Sequence, residues 1–165
     1  MTAPAIAYDP AGLHLEEAGD TGPLVLCLHG IGSSSAAFAP QFAALGGSYR
    51  MLAWDAPGYA RSADPTGPLT MDDYADLAAD VIRARGGAAH VLGVSWGGVI
   101  ALRLATRHPD LVESLMVVAS TPGSGTDPVY GDFGTARVDG GLNDDALTGG
   151  PGNDTLLGNS GTDRL

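Results

Sequence analysis

The first 121 residues alternate short apolar runs with stretches that carry helical spacing. Leu24–His29 (LVLCLH) is a continuous apolar run, the pattern of a strand buried on both faces. Arg50–Trp54 reads as a second buried strand, His90–Val94 and Val112–Ala119 as a third and a fourth strand, and Ala5–Tyr8 with Leu13–Ala18 are candidate antiparallel opening strands. After the first buried run, GIGSSSAAF is a Gly/Ser turn in which Ser33 or Ser34 is placed to cap a helix reaching about Leu45. The second run stops at Asp55-Ala56-Pro57-Gly58. Thr70 with Asp73 three residues on predicts an N-terminal cap, and the helix it opens has Tyr74, Leu77, Val81 and Ile82 on its apolar face. A third helix is expected from Trp96 to about Arg107, with Pro109 helping to end it. Strands alternating with helices at this spacing imply a parallel sheet with right-handed crossovers, so residues 1–121 are α/β.

Beyond Thr121 the pattern changes. Residues 122–139 are rich in Gly, Pro and Asp and read as a linker, and residues 140–165 are Gly/Asp-rich and repetitive. Residues 122–165 hold 11 of the 25 glycines among 165 residues. Eight arginines against 19 acids leave a net charge of −11, which excludes a basic nucleic-acid footprint as a first reading. The single cysteine, Cys27, has no partner for an internal disulfide and sits in an apolar run where a small hydrophobe serves. No apolar stretch reaches the ~18 residues of a membrane span. The N-terminus lacks the basic region and apolar core of a Sec-type signal.

Gly93-Val94-Ser95-Trp96-Gly97 matches G-x-S-x-G between a predicted strand and a predicted helix. In that context the flanking glycines allow a tight turn that lifts the serine hydroxyl above the sheet edge. The helix N-terminus behind it favours developing negative charge. Three further stretches point the same way: His29-Gly30-Ile31-Gly32 after the first buried strand, Asp55-Ala-Pro57-Gly58-Tyr59-Ala60-Arg61-Ser62, and Arg107-His108-Pro109 before the last strand.

Together these motifs, in this order over roughly residues 12–121, resemble the α/β-hydrolase superfamily. Ala60 stands where the family's D-x-P-G-x-G-x-S turn has its second glycine. The resemblance implies Ser95 as nucleophile and the backbone N–H groups of Ile31 and Trp96 as oxyanion hole. It implies acyl transfer to water from a small carboxylic ester, lactone or related acyl substrate, with no cofactor for that chemistry. The family's acid and histidine lie on later loops, whereas the pattern here stops at about Thr121. The expected fold is a truncated α/β-hydrolase, a mostly parallel sheet with flanking helices.

A general base must come within ~3 Å of the serine. His108 lies thirteen residues down a helix, roughly 20 Å away at ~1.5 Å per residue. His90 is five residues back along a strand, roughly 16 Å away. His14 is on an opening strand. His29 is the one histidine expected near the active edge, where the family uses it to support the oxyanion loop. Asp127 or Asp132 could supply the acid, but an acid without histidine does not activate serine. Asp55 reads as a turn-stabilising residue. The Val112–Ala119 strand becomes an apolar edge, so a second copy, another chain or the C-terminal segment is expected to cover it.

From Gly140 the chain falls into nonapeptides, GGLNDDALT, GGPGNDTLL and GNSGTDRL, with Asp145, Asp154 and Asp163 at the sixth position and Leu147, Leu156 and Leu165 at the eighth. These resemble the calcium-binding RTX repeat. The resemblance implies a short β-roll-like tail, with Asp145, Asp154 and Asp163 among the Ca²⁺ ligands and one complete site between the first and third repeats. RTX tracts accompany type I secretion, so cytoplasmic and secreted locations both stay open. Three readings follow: a serine hydrolase with a calcium tail, a catalytically incomplete hydrolase fold whose surviving activity is calcium binding, and a half-site completed by another chain. Covalent labelling of Ser95 separates the first two, and dependence on an added partner singles out the third.

Overall fold

The apolar runs become the middle of a seven-stranded sheet, in a computed structural model that describes residues 12–120 and, beyond them, 129–130, 135–139, 147–148 and 155–157. The strands are β1 (Leu15–Ala18), β2 (Leu24–Leu28), β3 (Arg50–Trp54), β4 (Ala89–Val94), β5 (Val112–Val118), β6 (Val129–Tyr130), β7 (Thr135–Asp139), β8 (Leu147–Thr148) and β9 (Thr155–Leu157). Helices α1 (Ala39–Leu45), α2 (Met71–Arg85) and α3 (Trp96–Arg107) fall between β2 and β3, β3 and β4, and β4 and β5. The sheet order is β1-β3-β2-β4-β5-β7-β9; β1 is antiparallel to β3 and the other neighbours are parallel. The opening strand expected at Leu13–Ala18 is therefore present as β1, and Ala5–Tyr8 lies outside the described residues. No helix among the described residues is long and apolar enough to cross a membrane.

Successive residues of a strand point to opposite faces, and the burial follows that alternation. Leu24, Leu26 and Leu28 of β2 share one core with Trp54, Val91, Leu115 and Val117, against Leu77 and Ile82 of α2 and Ile100 and Leu104 of α3. On the other face Cys27, Met51 and Ala53 form a smaller core with Phe38, against which Phe42, Leu92 and Val94 pack. Burial pushes the Cys27 thiol up to about 12. It is expected to stay unmodified by a disulfide reagent until the chain unfolds; modification of native protein within minutes would contradict its place in this core.

Thr70 and Asp73 form the expected capping box, the Thr70 Oγ1 accepting from the Asp73 N–H at 3.2 Å and the Asp73 carboxylate from the Thr70 N–H at 2.7 Å. The first helical region differs from expectation. It begins as a 3₁₀ turn, Ser35–Phe38, and Ser34 stands at its N-cap position without a side-chain cap bond. The acceptor is instead Asp55, whose Oδ1 takes the Ser35 N–H at 2.7 Å. A buried carboxylate is a stronger acceptor than a serine hydroxyl and itself requires donors.

The segment expected to be a linker also departs from that reading, because Thr135–Asp139 is β7 and pairs in parallel along β5, from Ser114↔Thr135 to Val117↔Val138. An open β5 edge presents unpaired backbone groups, and this later stretch of the same chain takes them up, with β9 pairing along β7 in turn. A two-stranded parallel sheet, β6 with β8, completes the description.

Candidate active site

Ser95 lies between the last residue of β4 and the first of α3, with φ 54° and ψ −122°. For a residue with a Cβ this left-handed backbone costs about 1–3 kcal/mol and persists only where neighbours hold it. Three contacts do so. The Ser95 N–H donates to the Val118 carbonyl at 2.8 Å, and its own carbonyl accepts from the Gly98 N–H at 2.8 Å and from the Ser120 Oγ at 2.6 Å. Ser120 is buried, whereas Ser95 is exposed. Nothing in the pattern of the chain singled out Ser120, since a lone serine after a strand carries no signal of its own.

The flanking glycines do a different job from the one expected. Neither Gly93 nor Gly97 has a positive φ, so the unusual backbone belongs to Ser95 itself. The glycines permit close approach: a Cβ on Gly93 would lie 2.5 Å from the Gly97 carbonyl oxygen, and one on Gly97 would lie 2.6 Å from the His29 carbonyl oxygen.

The loop after β2 comes up beside the serine. A Cβ placed on Gly30 would lie 3.1 Å from the Ser95 Cβ and 3.7 Å from its Oγ. Gly30, the residue before Ile31, is therefore packed against Ser95, and Trp96 follows Ser95 in the chain. Among the described residues, neither the Ile31 nor the Trp96 N–H donates to a protein acceptor. The Ile31 side chain is 72% exposed. An aromatic series flanks the site: His29 packs edge-on to Tyr59 at 5.3 Å, Tyr59 lies 5.5 Å from Trp96, and Trp96 meets Tyr74 edge-on at 4.8 Å. Burial, with Tyr59 nearby, raises the pKa of the Tyr74 phenol, which keeps it protonated.

All four histidines of the chain are described, and each has work elsewhere. The His29 Nε2 accepts the Ala56 N–H at 2.9 Å and its Nδ1 lies 2.8 Å from the Gly30 carbonyl. A backbone N–H only donates and a carbonyl only accepts, so the proton sits on Nδ1 and no nitrogen is left for the serine. His29 thus braces the loop against the end of β3. His108 joins Asp76 at 2.7 Å and Arg83 at 3.2 Å, tying the end of α3 to α2. His90 pairs with Ser114 at 2.8 Å and Glu113 at 3.3 Å, and His14 with Glu16 at 3.3 Å.

Asp55 does more than shape a turn. Its Oδ2 accepts from the Arg61 N–H at 3.1 Å and Arg61 Nε at 3.2 Å, while Oδ1 holds Ser35, so one fully buried carboxylate binds two loops together. Asp127, Asp132, Asp145, Asp154 and Asp163 lie outside the described residues.

This arrangement matches known proteins. Residues 23–141 fit the family model for the alpha/beta hydrolase fold. The chain is 37% identical over 131 residues to a 2-(acetamidomethylene)succinate hydrolase of Mesorhizobium japonicum, covering 78% of this chain and 46% of that protein. It is 37% identical to a pimeloyl-[acyl-carrier protein] methyl ester esterase of Shewanella woodyi, over 68% of this chain and 41% of that one. Among solved structures, the enol-lactonase of Burkholderia xenovorans superposes with a TM-score of 0.63 at 28% identity, over 69% of this chain and 45% of the lactonase. The N-acyl homoserine lactonase AidH does so at 0.61 and 34% identity, over 67% and 42%. The chain thus spans less than half the length of these relatives. On its fold, its sheet order and these matches, the chain belongs to the alpha/beta hydrolase fold family.

Proposed function

We propose that the chain carries the nucleophile half of a serine hydrolase site for a small carboxylic ester, lactone or related acyl substrate. The observation that carries this reading is the backbone of Ser95, held left-handed and exposed at the junction of β4 and α3. The hydroxyl attacks the acyl carbon, and the oxygen that becomes negative is met by the N–H groups of Ile31 and Trp96. The N-terminal end of α3 adds its dipole to the same point. The exposed Ile31 side chain offers apolar surface beside the acyl group. The esterase and lactonase named among the relatives support the substrate class.

A second reading, a hydrolase fold that is catalytically incomplete, is favoured by the engagement of all four histidines away from Ser95. In a serine triad the base is indispensable, and loss of it costs roughly 10⁴-fold or more in turnover. Fluorophosphonate labelling of folded chain, mapped by mass spectrometry, decides between them. The expected result is one adduct, on Ser95, absent from Ser95→Ala and unchanged in His108→Ala. A folded chain with no adduct would establish the second reading.

The Gly/Asp nonapeptides are proposed to bind Ca²⁺. Asp145, Asp154 and Asp163 supply carboxylates and the glycine turns supply carbonyls, the hard oxygen donors that this ion takes.

A further inference from the structure

Across β6 and β8 Val129 pairs with Leu147, and across β7 and β9 Val138 pairs with Leu156. Each partner lies two nonapeptides further along the chain. The positions share one phase: from Val129 every ninth residue is Val or Leu, through Val138, Leu147 and Leu156 to Leu165. Carried back from Gly140, that phase divides the preceding segment into GDFGTARVD (131–139) and PGSGTDPVY (122–130). The latter has Gly123, Gly125, Asp127 and Val129 where GGPGNDTLL has Gly150, Gly152, Asp154 and Leu156. The former keeps Gly131, Gly134 and Val138, with Ala136 in place of the aspartate. All four short strands include the last two positions of their units.

We infer that the repeat array is five units long, from Pro122 to Leu165, and is joined to the hydrolase sheet through its second unit, so that Ca²⁺ bound by the array stabilises the hydrolase part. The pairing pattern supports this. Units one and three share the two-stranded sheet, while units two and four extend the large one. Unit two is also the strand on β5, with Val138 level with Val117 of the main core. One strand therefore belongs to both parts, and ordering it closes the β5 edge. A ligand that binds the folded array and not the unfolded chain adds its binding free energy to whatever unfolds with that strand. The phase also places Asp127 at the aspartate position of a repeat, which removes it as the acid of the hydrolase site. The inference rests on the calcium reading given above.

Both tryptophans, Trp54 and Trp96, precede residue 122, so tryptophan fluorescence reports the hydrolase part alone. Thermal unfolding of the full chain is followed in millimolar CaCl₂, in MgCl₂ and in EDTA, with calcium binding measured in parallel by titration calorimetry. The expected result is a calcium heat together with a rise in the tryptophan midpoint of about 5 °C or more. Mg²⁺, which demands a tighter octahedral shell, gives neither. Asp127→Ala is expected to match the parent in EDTA and to weaken calcium binding about tenfold or more. Calcium heat without a shift in the tryptophan midpoint would overturn the linkage while leaving calcium binding intact. Unchanged affinity in Asp127→Ala would overturn the five-unit phase. Absence of any calcium heat would overturn the calcium reading itself, and the linkage with it.

Discussion

A chain carrying Gly97→Ala is expected to fail to reach the native state. Alanine is the better helix former by about 1 kcal/mol, and Gly97 is the second residue of α3, so propensity alone favours the change. Packing opposes it with greater force. The new Cβ would press on the carbonyl of Leu28, 2.5 Å from its carbon, and lie 2.6 Å from the carbonyl oxygen of His29. Those atoms are backbone at the end of β2, the strand paired on both sides with β3 and β4. Overpacking against mobile side chains costs about 1–3 kcal/mol; here no side chain can turn away, and the cost is expected to exceed about 4 kcal/mol. That is a large fraction of the ~5–15 kcal/mol that holds a domain of this size together. Gly93→Ala meets the Gly97 carbonyl oxygen at 2.5 Å and the Gly98 Cα at 2.6 Å, and is expected to behave alike.

Gly47→Ala is the control. No atom lies within 4 Å of its Cβ and its φ is not positive, so it is expected to leave stability unchanged or raise it by up to about 1 kcal/mol. Soluble yield, circular dichroism and the tryptophan unfolding midpoint measure all three. A Gly97→Ala chain that unfolds at the parent's midpoint would mean that α3 does not start against β2 as described.

The contrast between these glycines shows what was legible in the chain. G-x-S-x-G announced the elbow, and the apolar runs announced β2 to β5, although on β5 the run hides an alternation in which Leu115 and Val117 are buried and Met116 and Val118 exposed. Thr70 and Asp73 announced their cap through side chains three residues apart. Contacts between distant segments left no such trace. The Ser35 N–H finds Asp55 twenty residues on, and Ser120 reaches Ser95 across the end of β5. β7 was hidden for another reason. Its Gly-, Pro- and Asp-rich surroundings carry the composition of a linker, and TARVD has no continuous apolar run to mark a strand. Its role comes from pairing with β5, a property of the partner strand as much as of its own residues. The histidines show the limit from the other side: spacing along helix and strand set His108 and His90 aside, and the structure finds them bonded to Asp76 and Ser114, but only the two bonds of His29 show how the last candidate is engaged.

The Asp55 carboxylate is expected to be worth about 2–3 kcal/mol, read as the loss of stability in Asp55→Ala. That substitution leaves the buried Ser35 N–H without its acceptor, which costs about 1–3 kcal/mol, while the exposed Arg61 turns its donors to water at a smaller loss. Asp55→Asn, with one acceptor oxygen in place of two, is expected to lose about half as much. Acid should reproduce the effect in the parent. Burial alone would raise the Asp55 pKa, but the hydrogen bonds from Ser35 and Arg61 outweigh it and bring it down from 3.8 to about 2. A carboxyl with a lowered folded pKa binds protons more readily when unfolded. Its contribution is therefore complete above about pH 4 and is lost as the pH falls toward 2. Urea midpoints between pH 7 and pH 2.5 should thus fall more steeply below pH 4 for the parent than for Asp55→Asn. Parallel curves would mean the carboxylate is not held as described. The same substitution bears on the site, because Asp55 anchors the turn that follows β2 and the Arg61 turn, and Ala56 beside it holds His29 in place. Loosening this knot frees the Gly30–Ile31 loop from its position beside Ser95, so fluorophosphonate labelling in Asp55→Asn is expected to slow even where the fold survives.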